Sequence, residues 1–258
     1  MGAADLRTHG ANIEPILREC MQRCPIFVGV RCSAAHSTDA NVTSFATDAN
    51  TLRDPNFIKG FEVLQLLNLV FDLWVYGHQL NDVYDLAIQY LSQTIVLDHC
   101  GTPVGMFNSN NLSAETTKTS WRNDMAKIAT HCPNVFVKIG DGSLPVLGSG
   151  FAKRDVLPGS TEVADKFKEL YAWTIESFRA ERCMLEVRFF VFFSRKILLA
   201  LYCVRHVHVW RFLVRSCEGF LTIPIRSTQC IRPTVCPLSR LLYFINRPYK
   251  RLTVFPKS

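Results

Sequence analysis

Short apolar runs alternate along the chain with longer segments in which apolar residues recur every three or four positions. The short runs are rich in Val, Ile, Leu and Phe and contain few polar residues, which is typical of strands buried on both faces of a parallel sheet. We predict five such strands, at residues 26–31, 69–75, 94–98, 135–138 and 182–185.

The longer segments have the apolar spacing of helices that pack one face against a sheet. Asp54 and Pro55 form a helix start, because aspartate caps free backbone N–H groups and proline fits the first turn. Ser160 is predicted to cap a long helix that runs to Phe178. Further helices are expected at residues 12–24, from residue 81 onward and at 121–130.

The regular alternation of strand and helix predicts an α/β fold with a parallel sheet. Right-handed crossovers leave a doubly wound open sheet and a (β/α)8 barrel as the two main closures. No glycine-rich phosphate turn follows any predicted strand, which weakens the nucleotide-binding open sheet. Polar residues near the ends of the strands, where barrel enzymes build their active sites, favour the barrel: Arg31, Asp72, His99 and Lys138.

The pattern and the charge of the chain change after Glu186. Residues 187–258 contain 13 Lys and Arg but a single acidic residue, so we separate this basic hydrophobic tail from a barrel domain of residues 1–186. Arg195 and Lys196 interrupt its apolar run, which argues against a membrane-spanning helix but leaves binding to a membrane surface open. Because the tail contains no recognisable nucleic-acid module, nucleic acid is not an expected partner.

Ten cysteines are scattered along the chain without a CxxC pair or a regular spacing. Cys20 and Cys24 lie one helical turn apart, where we expect them to pack as free thiols. The first residues contain neither the basic start nor the apolar stretch of a signal peptide. These features predict a cytoplasmic protein.

Several strand ends and the loops that follow them match a known family in order and spacing. Examples are Phe27-Val28-Gly29-Val30-Arg31 and Ile95-Val96-Leu97-Asp98-His99. The matching stretches are residues 27–31, 69–80, 95–103, 134–140, 145–151 and 176–186. They resemble the amidohydrolase-related family, especially its branch related to 2-pyrone-4,6-dicarboxylate lactonase. The resemblance implies an incomplete (β/α)8 TIM barrel over residues 1–186, with its first strand and its last strands missing.

Barrels of that family hold one or two divalent metal ions, zinc among them, or in some lactonases none. Water attacks the carbonyl of a lactone, ester or amide, so the resemblance implies a hydrolase of a small carboxylated substrate. It further implies that His99 is a catalytic residue and metal ligand, and that Arg31, His78 and Lys138 bind substrate. Ordinary structural roles also fit these residues: a backbone-bonded loop histidine for His99, a rim salt bridge for Arg31, an ion pair for Lys138 and a cap for Asp72.

The chain departs from the family pattern at two places. The His-x-His motif of the family's opening strand has no match, so two expected metal ligands are absent. Glu186 is followed by Val187-Arg188 instead of Ser, then Asn or Asp, and a proline. We therefore hypothesise that the tail is translated intron or out-of-frame sequence, and we expect low hydrolase activity. Two alternatives stay open: a non-catalytic interaction or membrane-surface protein that uses the basic tail, and a defective gene model.

Overall fold

A six-stranded parallel sheet lies at the centre of the structure, a computed structural model that describes residues 1–108, 112–156 and 158–186. Each strand pairs with the next one along the chain, so the sheet order is β1-β2-β3-β4-β5-β6. The predicted tail, residues 187–258, lies outside the described residues. The strands are β1 (Gly2–Ala3), β2 (Gly29–Ser33), β3 (Val70–Trp74), β4 (Ile95–Leu97), β5 (Val135–Ile139) and β6 (Cys183–Leu185).

Helices occupy every connection between these strands. The α-helices are α1 (Leu6–His9) and α2 (Glu14–Arg23) before β2, then α3 (Pro55–Leu66), α4 (Leu80–Gln89), α5 (Leu112–His131) and α6 (Ser160–Phe178). Short 3-10 turns lie at Gly10–Ile13, Thr51–Arg53, Gly77–Gln79, His99–Gly101, Pro145–Leu147, Phe151–Lys153 and Ala180–Arg182. The alternation confirms the predicted α/β fold. Over the described residues the sheet is open, as expected for an incomplete barrel.

Aromatic side chains between α3 and the sheet show where the core lies. Phe57 and Phe61 of α3 pack against Phe71 of β3, with ring centroids 6.0 and 5.1 Å apart. All three side chains are fully buried. Asp54 caps α3 by accepting hydrogen bonds from the backbone N–H groups of its first turn, as predicted. The apolar stripe predicted for this helix therefore faces the sheet.

Two sequence predictions are wrong at element boundaries. Ser160 is the first residue of α6, and Gly159, which has no side chain to accept a hydrogen bond, occupies the cap position. The strand predicted at residues 26–31 begins only at Gly29, and Ile26 and Val28 are exposed. Among the described residues, β1 pairs only with the two residues that follow Gly29, so residues 26–28 have no strand beside them on that side.

The structure also bears on the prediction about thiols, whereas the membrane prediction concerns residues 187–258, which lie outside the described residues. Cys20 and Cys24 are both free thiols, as predicted, but Cys24 is exposed, so the packing expected for both is found only in part at the half-buried Cys20. In the part of the chain that the structure describes, no helix has both the length and the apolar composition needed to cross a bilayer.

Candidate functional site

The carboxyl ends of neighbouring strands bring ionisable side chains to one edge of the sheet. Arg31 of β2 is the register partner of Asp72 in β3, so both side chains point to the same face. In barrel enzymes this edge carries the active site. The side chains that meet there are Arg31, Asp72, Asp98 and His99 after β4, Lys138 of β5, Asp141 after it, and Glu186 after β6.

Arg31, Asp72, Asp98 and Lys138 form an ion-pair network, which we call the charged quartet. Nζ of Lys138 lies 2.8 Å from both carboxylate oxygens of Asp72. The same nitrogen lies 2.8 Å from Oδ1 of Asp98. Nη2 of Arg31 donates to Oδ2 of Asp98, and its Nε is 3.9 Å from Oδ2 of Asp72. Each carboxylate is thus held between the two cations.

The carboxylates of the quartet are buried, its cations are half-buried, and its formal charges cancel. The side chain of Asp98 has no exposed surface, and that of Lys138 is only 17% exposed. Because an uncompensated charge in a protein interior is costly, each member depends on the others. Asp72 lies inside β3 and contacts Lys138, so the cap role predicted for Asp72 is wrong.

His99, Asp141 and Glu186 form a second group beside the quartet, which we call the histidine–carboxylate triad. Nδ1 of His99 lies 2.7 Å from Oε2 of Glu186 and 3.4 Å from Oδ2 of Asp141. One ligand atom from each residue lies within 4.8 Å of the other two. Oε1 of Glu186 is 3.8 Å from Nζ of Lys138, so Glu186 joins the triad to the quartet.

A left-handed turn places His99 in the triad. All four residues at 99–102 have positive φ, including His99 at 53° and Cys100 at 52°. This conformation costs a residue other than glycine roughly 1–2 kcal/mol. Nε1 of Trp121 donates a hydrogen bond of 2.8 Å to the backbone oxygen of Cys100. Trp74 packs edge-on against the ring of His99, with the two ring centroids 5.4 Å apart. Packing and main-chain contacts therefore fix the position of the imidazole.

The environment of Glu186 keeps its carboxyl group ionised. Burial alone would raise the pKa of Glu186, but its contact with His99 and the positive charges of Lys138 and Arg31 lower this pKa to about 2. Such a carboxylate is a weak base, so Glu186 supplies charge and position and is not suited to take up a proton. Burial raises the pKa of the neighbouring Cys100 thiol to about 12, which excludes it as a nucleophile at neutral pH.

The triad has a donor set and a charge that fit one divalent metal ion. Two carboxylates and a neutral imidazole are ligands for zinc and similar ions, and they present a negative charge to a cation. Neither ring nitrogen of His99 has an aligned hydrogen-bond partner among the described residues, although both nitrogens are buried. Buried polar atoms are costly unless a partner satisfies them, and an ion at the triad would do so.

Three of the four predicted site residues lie in this region. His99 belongs to the triad, and Arg31 and Lys138 belong to the quartet. His78 is exposed, and its Nε2 lies 2.9 Å from the backbone oxygen of His36. The charges of Arg31 and Lys138 are already paired with carboxylates, so a substrate would meet them largely neutralised.

Asp141 and Glu186 are site residues that the sequence prediction missed. Glu186 directly follows β6, and Asp141 lies two residues beyond the end of β5. The rule that selected His99, a polar residue just beyond a strand, also selects these two when it is applied to β5 and β6. Asp141 has a left-handed backbone with φ of 53°, a conformation that aspartate tolerates better than most residues.

The fold is similar to that of solved amidohydrolase structures. A crystal structure of an amidohydrolase from Burkholderia multivorans with bound zinc has a TM-score of 0.55 and 21% identity, over 86% of this chain and 66% of that chain. A crystal structure of an amidohydrolase from the same organism with bound HEPES has a TM-score of 0.56 and 21% identity, over 85% and 66%. At this identity the similarity establishes the fold alone, an α/β fold that matches part of the barrel of these structures.

Sequence comparison finds a partial match. No protein-family model matches the chain. The uncharacterized protein y4mH of Sinorhizobium fredii is 30% identical over 139 residues, which are 54% of this chain and 42% of that protein. The chain thus spans less than half the length of this relative, and 66% of the two amidohydrolase structures.

Proposed function

We propose that the protein is a hydrolase of the amidohydrolase type, in which water attacks the carbonyl carbon of a lactone, ester or amide. The observation that carries this proposal is the triad of buried His99 with half-buried Asp141 and Glu186 beyond the ends of parallel strands. The fold shared with a zinc-containing amidohydrolase supports it.

The triad is the group of residues that would hold a divalent ion, for which zinc is the first candidate. When bound, such an ion supplies a water of lowered pKa and polarises the substrate carbonyl. His99 and Glu186 then act mainly as fixed ligands, since one is locked by the turn and the other has a low pKa. We assign to Asp141 the uptake of the proton that the attacking water loses, because Glu186 is a weak base.

Arg31 is the residue we assign to a carboxylate of the substrate. Its side chain is 23% exposed, the largest exposure of any member of the quartet. A guanidinium group has five N–H donors in one plane, so Arg31 can bind a second carboxylate while Nη2 stays on Asp98. Lys138 is more enclosed and its charge is paired with Asp72 and Asp98, so we assign it to holding these carboxylates in position rather than to direct contact with the substrate.

The experiment is a hydrolysis assay of the full chain, supplied with Zn²⁺, on small lactones, esters and amides with and without a free carboxylate. We expect turnover of carboxylated members. His99→Asn should lower kcat/KM and metal affinity by at least about 100-fold. His131→Asn is the matched control, because His131 is an exposed histidine at the end of α5, and it should change neither.

A third variant addresses His78, the histidine predicted to bind substrate. His78→Asn should raise KM with little change in kcat if His78 contacts the substrate. A chain that binds one ion per molecule but hydrolyses no member of the panel would contradict the proposed reaction.

A further inference from the structure

Lys138 places a positive charge where carboxylates converge. Its ammonium nitrogen lies 2.8 Å from oxygens of Asp72 and Asp98, and 3.8 Å from Oε1 of Glu186. Clusters of carboxylate oxygens like this one are also what Mg²⁺ and Mn²⁺ bind. An ammonium group and a divalent ion therefore compete for the same place, because each neutralises these carboxylates.

Glu186 connects this place to the triad. Its Oε2 lies 2.7 Å from Nδ1 of His99, while its Oε1 faces Nζ of Lys138 at 3.8 Å. One carboxylate thus touches two positions at which a cation is electrostatically favoured. In enzymes with two metal ions, the ions are about 3.5–4 Å apart and are held by such shared ligands.

We propose that Lys138 is a positioning residue that limits this centre to one divalent ion, because its ammonium group occupies the second cation position. The triad accepts an ion in the native chain, whereas the quartet accepts none. The inference rests on the proposed function only for the ion at the triad, and the role of Lys138 does not depend on which reaction is catalysed.

This assignment predicts how replacing Lys138 changes both the charge and the free volume at the second cation position. Without Lys138, the carboxylates of Asp72, Asp98 and Glu186 face only one cation, Arg31, and a divalent ion would restore the balance. Lys138→Ala removes the charge and opens the space for that ion. Lys138→Met removes the charge but keeps most of the volume, so it separates the two effects.

The test measures manganese bound per full chain after gel filtration, by elemental analysis. Mn²⁺ is the probe because it prefers oxygen ligands and leaves the free cysteines largely unbound. We expect Lys138→Ala to bind one more ion per chain than the native protein, and Lys138→Met to gain none. Lys118→Ala is the control, since Lys118 pairs with Glu169 on the surface, and it should bind as the native chain does.

Electron paramagnetic resonance gives a second measurement on the same samples. If the native chain binds one Mn²⁺, Lys138→Ala should show a spin-coupled pair, which Asp98→Asn in the same chain should abolish. If the native chain binds none, one ion in Lys138→Ala still supports the role of Lys138 but contradicts the ion proposed at the triad. A folded Lys138→Ala variant with no additional ion overturns the inference.

Folding of the variant is itself informative, because removal of Lys138 leaves buried carboxylates without a counter-ion. If Lys138→Ala folds only with metal, refolding with MnCl2 should recover soluble protein, and the added Asp98→Asn change should remove this dependence on manganese. A variant that stays unfolded with MnCl2 contradicts the proposal, since the ion would then be unable to replace the ammonium group.

Discussion

The charged quartet and the histidine–carboxylate triad lie at the same edge of the sheet but differ in how their charge is compensated. In the quartet, Lys138 and Arg31 neutralise two carboxylates, and the protein alone completes the network. In the triad, two carboxylates face an imidazole whose buried nitrogens have no aligned partner among the described residues. The charges of the quartet are thus balanced once the chain folds. The triad has the negative charge and the ligand atoms to bind a cation.

The comparison teaches that residues of the same type, at equivalent strand ends, can have opposite roles. Asp98 and Glu186 both follow a strand directly, yet Asp98 lies between Arg31 and Lys138 while Glu186 contacts the imidazole of His99 and lies 3.8 Å from Lys138. We therefore expect changes in the quartet to act mainly on stability, and changes in the triad to act mainly on metal binding and on pH dependence.

The largest expected effect comes from breaking the quartet at Asp98. Asp98→Asn removes the fully buried carboxylate that lies between the half-buried Arg31 and Lys138, and it should lower the free energy of unfolding by about 3 kcal/mol. Urea unfolding of the full chain measures this loss. Asp98→Asn combined with Lys138→Met removes both charges of one pair and should lose less than Asp98→Asn alone. A loss below about 1 kcal/mol for Asp98→Asn would show that the quartet behaves as a surface network.

A smaller effect on stability, which is lost in acid, is expected at Glu186. Its pKa in the folded protein is about 2, against an ordinary value of 4.5, so folding favours its ionised form. The stability that Glu186 contributes is therefore fully present above about pH 5 and is lost as the pH falls toward 2. With a chelator present, Glu186→Gln should be less stable than the native chain by up to about 3 kcal/mol at pH 7. The difference should narrow below pH 4.5, and a difference that stays constant down to pH 3 would argue against this environment.

The smallest effect on stability is expected at Glu169, whose carboxylate pairs with two cations, as that of Asp98 does, but at the surface. Glu169 of α6 pairs with Lys118 and Arg122 at 2.7 and 2.5 Å, but its side chain is 58% exposed. Glu169→Gln should therefore cost less than about 1 kcal/mol of unfolding free energy, because water screens the pairs. It should also leave the metal content unchanged. A cost as large as that of Asp98→Asn would mean that burial is not what distinguishes the quartet.

Much of the fold could be predicted from sequence because strands buried in a parallel sheet are short, continuous apolar runs. The runs around Phe71 and Val137 are of this kind, and both lie in observed strands. The run at residues 26–28 misled the prediction, because apolar composition alone does not show whether a neighbouring strand is present to pair with it.

The site could be predicted only in part, for a related reason. His99 and Lys138 were identified because they lie at strand ends, but their separation into two groups depends on distances that only the folded chain defines. Asp72 looked like a cap because an isolated carboxylate in a sequence shows no partner, and its partner Lys138 lies 66 residues away. Asp141 reaches the triad from a loop whose backbone is left-handed, a conformation that no apolar pattern indicates.

The left-handed turn at residues 99–102 lowers the stability of the chain and positions the imidazole of His99 at the same place. Three of its members, His99, Cys100 and Thr102, adopt a conformation that costs less for glycine, so a chain built for stability alone would be expected to relax there. Relaxation would free the imidazole that the turn now aims at Asp141 and Glu186. The turn is therefore a place where a conformational cost and a fixed direction of the imidazole occur together, as they do at many functional sites.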